Sequence, residues 1–522
     1  MNFRRLSLVF VIASLAAPRV MVAGEVWNSD FSAGQAAFQQ GRYAEAELRL
    51  AAALKTADTP DADPDRLARS QMELASVYSA EGKFAEAESL ARRAVSIRER
   101  MADADELAVS LNNLASICAR DGKSAEAELL YHRALDIWEK QPGANGKRLV
   151  SVLNNLAGIE GAKSNIAGAN ALYRRAIAIS ETTSGSELET ARILANLGVL
   201  DRQQGKYLEA EELYNRSLKV RERMLGPGHP DVASTVNNLG ELYAVEGKYS
   251  DAEAMLKRAA EVRRSALGPD HPDTALTLNN LAEVYKALGR YDEAAGLLER
   301  VLRTFERVYG ESNGNVATAL NNLGQVDAAR HNYKQAEKTL ERATAIWEKT
   351  LGRNHPNLAA SLSNLGGVYL AQHKYREAAE IYLRALQINE THFGPEHPSI
   401  AINWNNLGAV AFARGDYEQA EDSFRRSLTM TEKVAGRGHP NTSSILKNLG
   451  DVYRKEKRYA EARDCYRRAV EVWEQAMGPQ NPDLIAKLEA YAEASRKLDD
   501  FAEAEKASTR ALGIRVRNSL HP

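Results

Sequence analysis

At 522 residues the chain has room for three or four domains, yet its 26% of charged residues leave a formal net charge of only −2. That balance gives no global field to draw the chain to DNA, RNA or anionic lipid. Apolar residues make up 44% and aromatics 7%, which excludes a disordered chain.

The N-terminus comes first. Met1–Arg5 is short and basic, Leu6–Ala17 is apolar, and small residues follow at Ala16, Ala17, Ala23 and Gly24. This is the three-part layout of a secretory signal peptide, and its apolar run is too short for a permanent membrane span. Cleavage is expected after Ala23, with Ala16 as the alternative. Residues 1–23 are then a signal peptide, 24–30 a short lead-in, and the mature chain an exported one in the periplasm or outside the cell. Loss of Arg4, Arg5 and Arg19 takes the formal charge to about −5. No other segment is apolar enough to cross a membrane.

From about residue 31 one phrase returns nearly every 42 residues. It reads Leu239-Gly240-Glu241-Leu242-Tyr243, Gly247-Lys248-Tyr249, Asp251-Ala252-Glu253. Its marker is an asparagine before the leucine: Asn113, Asn155, Asn196, Asn238, Asn280, Asn322, Asn364, Asn406 and Asn448. A turn residue follows, glycine at 41, 82, 122, 205, 247, 289 and 415, and His331, His373, Lys457 or Asp499 elsewhere. With Ser164-Asn165 filling one gap, the turns delimit about twelve repeats over 31–517, leaving 518–522 as a tail.

Each repeat reads as two helices. Val236, Leu239, Gly240 and Tyr243 share one face at helical spacing, and Ala252, Leu256 and Ala259 form the apolar stripe of a second helix. Gly240 and Ala252 let the axes approach closely. Pro230, Pro272, Pro356, Pro398, Pro440 and Pro482 open the following repeats, where a missing N–H has no intrahelical partner in any case. A lone hairpin cannot bury such faces, so neighbours must stack.

The Leu-Gly-x-x-Tyr, Ala, Ala arrangement resembles the tetratricopeptide repeat. The wording His-Pro, Leu-Asn-Asn-Leu-Gly, Gly-Lys-Tyr-x-Glu-Ala resembles the kinesin light chain subfamily over about nine-tenths of the chain. A signal-like segment stands where kinesin light chains carry a heptad coiled coil, so an exported, bacterial-type relative is expected, not a motor subunit. The resemblance implies an all-α, right-handed superhelical solenoid of about twelve tetratricopeptide-type hairpins whose first helices line a concave groove.

No phosphate-binding loop, zinc motif or nucleophile elbow occurs, so neither catalysis nor a cofactor is expected. His229, His271, His355, His397 and His439 occupy the same loop of different repeats, a spacing suited to loop structure and not to metal. An arginine recurs at 93, 133, 175, 216, 258, 300, 342, 384, 426, 468 and 510, where pairing with glutamates of the same or adjacent repeats is expected over a phosphate stripe. Cys118 and Cys465 fall within helices far apart in sequence and are expected to be unlinked.

The asparagine ladder is the binding signal. On a helical wheel Ser234, Glu241 and Val245 lie near Asn238, while the apolar set points away, so the ladder faces away from the hairpin partner. The resemblance implies that these amides reach a bound peptide backbone. A carboxamide both donates and accepts, so it can pair with any peptide unit. The alternative is that they bond only to neighbouring helices or water. For the adjacent Asn112, Asn154, Asn237, Asn279, Asn321 and Asn405, about 100° round the wheel, a bond between helices is expected. Kinesin light chains that bind acidic peptides line this groove with Lys and Arg. Four positions before the ladder stand Val109, Ser151, Arg192, Ser234, Leu276, Thr318, Ala360, Ile402 and Ser444. Only one is basic, and Ala360, Gly367, Ala371, Ile402, Ala409 and Ala413 make a small apolar stretch. An acidic-peptide preference is therefore not expected.

The expected function is a non-enzymatic scaffold for an extended peptide or partner chain of unknown identity, with no nucleic acid partner. The alternative is self-assembly into a homo-oligomer through the ends of the stack. The chain stops at His521-Pro522 with no further capping helix, which would leave a last repeat able to dock on a neighbour.

Overall fold

A computed structural model describes residues 23–40, 42–59, 63–140, 146–163, 165–183 and 185–520. The expected signal peptide up to residue 22, the expected turn positions Gly41 and Ser164, and His521-Pro522 lie outside the described residues.

Twenty-four helices fill the described chain, and no strand occurs among them. They pair as α1 (Ala23–Gln39) with α2 (Tyr43–Ala57), α3 (Pro64–Ala80) with α4 (Phe84–Arg100), and α5 (Ala104–Arg120) with α6 (Ser124–Glu139). Next come α7 (Gly146–Ala162) with α8 (Ile166–Thr182), α9 (Glu187–Gln203) with α10 (Tyr207–Leu225), and α11 (Pro230–Val245) with α12 (Tyr249–Leu267). The seventh to ninth hairpins are α13 (Pro272–Ala287) with α14 (Tyr291–Tyr309), α15 (Gly314–Ala329) with α16 (Tyr333–Leu351), and α17 (Pro356–Ala371) with α18 (Tyr375–Phe393). The last are α19 (Pro398–Arg414) with α20 (Tyr417–Val434), α21 (Pro440–Lys455) with α22 (Tyr459–Met477), and α23 (Leu484–Arg496) with α24 (Phe501–Leu520). Two compact blocks result, Met1–Thr274 and Ala275–Pro522. Within each, a hairpin packs on the hairpins before and after it.

The turn inside each hairpin follows from one left-handed residue. Gly247 has φ 75°, and Lys248 N–H then reaches back to Tyr243 C=O at 2.8 Å, satisfying a carbonyl that the helix end would otherwise leave unpaired. His331, His373, Lys457 and Asp499 adopt the same conformation at φ 58–62° despite their side chains.

Burial follows the expected stripes. Ala252, Leu256 and Ala259 are fully buried, as are Val236 and Leu239 to within 2%. Close approach needs the small residue: a Cβ on Gly408 would lie 2.7 Å from the Phe424 ring, and one on Gly450 2.6 Å from Tyr466.

Three details differ from expectation. Tyr243 is not in the core. It is half-buried with its hydroxyl donating to Glu211 at 2.7 Å, and Leu242 takes the buried place. Residues 24–30 are no lead-in but part of α1, where Trp27 and Phe31 stack at 4.7 Å and are buried. α24 runs through 518–520.

Candidate functional site

The ladder lies where the wheel places it. Each of its nine asparagines is half-buried, and the leucine after it is buried in every case but the half-buried Leu407, so its carboxamide reaches the surface formed by the first helices. What the wheel does not reveal is that these amides also bond to each other. In the first block Asn155 Nδ2 donates to Asn112 Oδ1 at 3.1 Å and Asn196 Nδ2 to Asn154 Oδ1 at 2.8 Å. In the second, Asn322 donates to Asn279 at 3.0 Å, Asn364 to Asn321 at 2.9 Å and Asn448 to Asn405 at 3.0 Å. The acceptor is always the adjacent asparagine of the preceding hairpin, as expected for that set. Bonding ladder rungs are thus pins between hairpins as well as groove residues.

The exceptions obey the same rule. The positions that would accept from Asn113, Asn238 and Asn406 hold Met72, Ala195 and Ser363. Among the described residues these three ladder amides donate to no neighbouring hairpin. A pinned rung uses one of its two N–H groups, leaving the second N–H and a carbonyl lone pair for a ligand. Its orientation is fixed beforehand, which lowers the ordering entropy that a ligand must overcome.

Pinned rungs coincide with a cavity in the first block. About 460 Å³ in volume, it is lined by Asn154, Asn155 and Asn196 together with Ser116, Arg120, Gly158 and Val199. Tyr131 and Tyr173 form its floor, reaching through from α6 and α8. Burial raises both phenols to about 12, so at neutral pH they keep their protons. Gly158 opens the wall: a Cβ there would touch nothing within 4 Å. Neither packing nor backbone conformation requires that glycine, and mid-helix glycine costs about 1 kcal/mol relative to alanine. Sequence reasoning missed this cavity; an interior glycine in α7 on the ladder's own face was the available signal. In the second block Ile402 is 47% exposed, Ala360, Ala371 and Ala413 are exposed, and Gly367 and Ala409 are half-buried, so most of the small apolar stretch is on the surface.

The other candidates resolve into structure. Recurrent arginines pair with glutamates of the preceding hairpin: Arg133–Glu99 at 2.7 Å, Arg342–Glu306 at 2.7 Å, Arg384–Glu348 at 3.1 Å, Arg468–Glu432 at 2.8 Å and Arg510–Glu474 at 2.6 Å. Arg175–Glu139 and Arg258–Glu222 do the same. Arg426 turns to Asp422 of its own helix and lies 4.8 Å over the Trp404 ring. The loop histidines cap the first helices. Nδ1 of His229, His271, His355, His397 and His439 accepts from the backbone N–H two residues on, at 3.1–3.3 Å.

Both cysteines are free thiols, Cys118 buried and Cys465 half-buried, and burial raises each to about 11. Glu88 and Glu126 approach Cys118 in a spacing that suits a metal ion. Arg92 already holds both carboxylates at 2.5–2.6 Å, and Lys123 holds Glu88 at 2.5 Å. The Lys123 bond, before all else, depresses the Glu88 carboxyl. Both carboxylates near the thiol are therefore already held by basic side chains.

Comparison with known proteins follows the same lines. The tetratricopeptide repeat profile matches residues 27–100, 106–182, 189–265, 232–307, 315–391, 399–475 and 441–515, and a second such profile matches 279–349. No curated protein matches. Similar solved structures include BtubC (BKLC) from P. vanneervenii, 26% identical over 43% of this chain and 90% of that one, with a TM-score of 0.38. A putative kinesin light chain of Podosopora anserina with nearly identical TPR-like repeats is 25% identical over 39% and 97%, at 0.35. The apo form of RapI is 14% identical over 55% and 98%, at 0.43. With family matches running from residue 27 to 515, the chain belongs to the tetratricopeptide repeat family.

Proposed function

We propose that this tetratricopeptide scaffold binds an extended peptide or partner chain along its first-helix face, without catalysing a reaction on it. The observation that carries the reading is the cavity at Gly158. There two pinned amides, Asn155 and Asn196, each with a free N–H and carbonyl lone pair, flank an open volume floored by Tyr131 and Tyr173. A peptide laid across it pairs its backbone with the amides and sinks one side chain between them.

Gly158→Leu tests this. Leucine favours the helix over glycine, so folding should be unchanged or gain up to about 1 kcal/mol. The new side chain fills the cavity, and partners captured from extracts by the native chain should lose at least about tenfold in affinity, the equivalent of 1.4 kcal/mol. Undiminished capture by a folded Gly158→Leu chain sinks the reading. A chain that captures nothing and self-associates would favour the second reading, self-assembly, for which Phe501, Leu512 and Val516 stand 64%, 57% and 48% exposed on α24.

Export belongs to the same proposal. It rests on the basic start and the apolar run Leu6–Ala17. N-terminal sequencing of the mature protein should begin at Gly24 or Ala17; a product beginning at Met1 rejects it.

A further inference from the structure

Five first helices begin with a histidine whose Nδ1 is a hydrogen-bond acceptor. Only the neutral ring, with its proton on Nε2, can do this, because an imidazolium has no acceptor. Protonation removes the cap and leaves a cation at the positive end of the helix.

The five are not equivalent. His229 and His271 have Asp231 and Asp273 beside the ring, at 3.8 and 3.9 Å, which offsets a charge on it. α17 and α19 have no acidic residue in their first turn, and Asn357 and Ser399 stand where those aspartates would be. His355 and His397 are moreover linked across the two hairpins. The His355 ring lies 6.5 Å from His392 at the end of α18, His392 4.6 Å from Phe393, and Phe393 stacks on His397 at 4.0 Å and 8°. Two nearby carboxylates are engaged elsewhere: Glu348 holds Arg353 at 3.0 Å and Arg384 at 3.1 Å, and Glu396 holds Lys433. Among the described residues no carboxylate pairs with any of the three histidines.

We propose that His355, His392 and His397 form an acid-sensitive joint: protonation of a capping ring on mild acidification removes its cap on α17 or α19, and like charge gathered along the ring chain loosens the loops joining their hairpins. Burial first, and the His392 charge second, hold His355 below its ordinary value of 6.5. The folded state therefore takes up its proton less readily than the unfolded chain. Stability from this residue is whole above about pH 6.5 and declines as pH falls through that value towards the lower, folded one. Asn364 stands on α17 and Asn406 on α19, so opening the joint disturbs two rungs of the ladder.

Hydrogen exchange of the full chain tests the joint, read at the first-turn amides of α17 and α19 after correction for intrinsic rates. Between pH 7.5 and 5.5 these should lose protection roughly five-fold per cap in the native protein. They should hold it in His355→Asn/His397→Asn, whose amides cap without titrating. The α11 amides, whose capping histidine has Asp231 beside it, should respond less. Should the double variant not fold, histidine-selective NMR of the native chain decides, and His355 should titrate below 6.5. Unchanged protection in the native chain, the same loss in the double variant, or titration of His355 at or above 6.5 overturns the proposal.

Discussion

Replacing Phe424 by alanine is expected to destabilise the second block by about 3–5 kcal/mol. Its ring is 2% exposed, fills the space left by Gly408, and belongs to a cluster with Ala420, Ile445, Leu449, Val452 and Tyr453. The cavity would open between α19, α20 and the following hairpin. A stack of repeats holds together through nearest neighbours, so the loss should be local. α19–α22 should lose exchange protection and melt first, while the hairpins from α1 to α12 keep theirs. Gly408→Ala should be far milder despite the 2.7 Å approach. Ala115 and Ala157 occupy the same place in hairpins that carry Tyr131 and Tyr173, so small axis shifts accommodate the methyl. A loss under about 1 kcal/mol for Phe424→Ala, or simultaneous melting of both blocks, would contradict nearest-neighbour packing.

The hairpins were legible because their signals repeat: a left-handed turn residue, a proline at the helix start and an alanine–leucine stripe each recur at the same offset. Any one is weak, but nine ladder asparagines in register exclude accident. The side of the helix on which the ladder stands was legible too, since one helix's wheel suffices to orient Asn238. Interactions between hairpins were harder. Whether Asn196 bonds to residue 154 depends on how two hairpins are offset, which no single-helix wheel contains. Tyr243 was misplaced for the same reason: its partner is Glu211 of the previous hairpin, not its own second helix. The beginning of α1 was hidden because Trp27 and Phe31 precede the first recognisable repeat phrase. Their burial becomes evident only with Arg66 and Arg69 of α3 lying over the rings at 5.1–5.6 Å. The histidine caps were legible as loop structure but not as acceptors, since their role turns on which ring nitrogen meets the N–H.

That offset between hairpins changes what asparagine substitutions should do, and the two kinds of rung separate folding from binding. Asn238→Ala and Asn406→Ala remove amides that donate to no neighbouring hairpin among the described residues, so stability should stay within about 0.5 kcal/mol. Asn322→Ala and Asn364→Ala strand the carbonyls of Asn279 and Asn321, which lose donors at 3.0 and 2.9 Å. Each should lower stability by roughly 0.5–1.5 kcal/mol, still well short of the 2–5 kcal/mol expected for Leu281→Ala in the core. The triple variant Asn280→Ala/Asn322→Ala/Asn364→Ala therefore reports on both functions at once and cannot by itself assign the ladder to ligand. Asn155→Ala/Asn196→Ala at the cavity is the decisive pair when it is measured below its own melting transition. Each amide lost to a ligand is worth roughly 0.5–1.5 kcal/mol, so the pair should weaken a captured partner on the order of tenfold or more if the effects add. Asn322→Ala/Asn364→Ala, pinned alike but away from that cavity, gives the stability cost of losing two pins. An affinity loss in Asn155→Ala/Asn196→Ala no larger than its own loss of stability explains would mean that these two amides act only as pins between hairpins. Full affinity in Asn155→Ala/Asn196→Ala would take these two rungs out of the binding face.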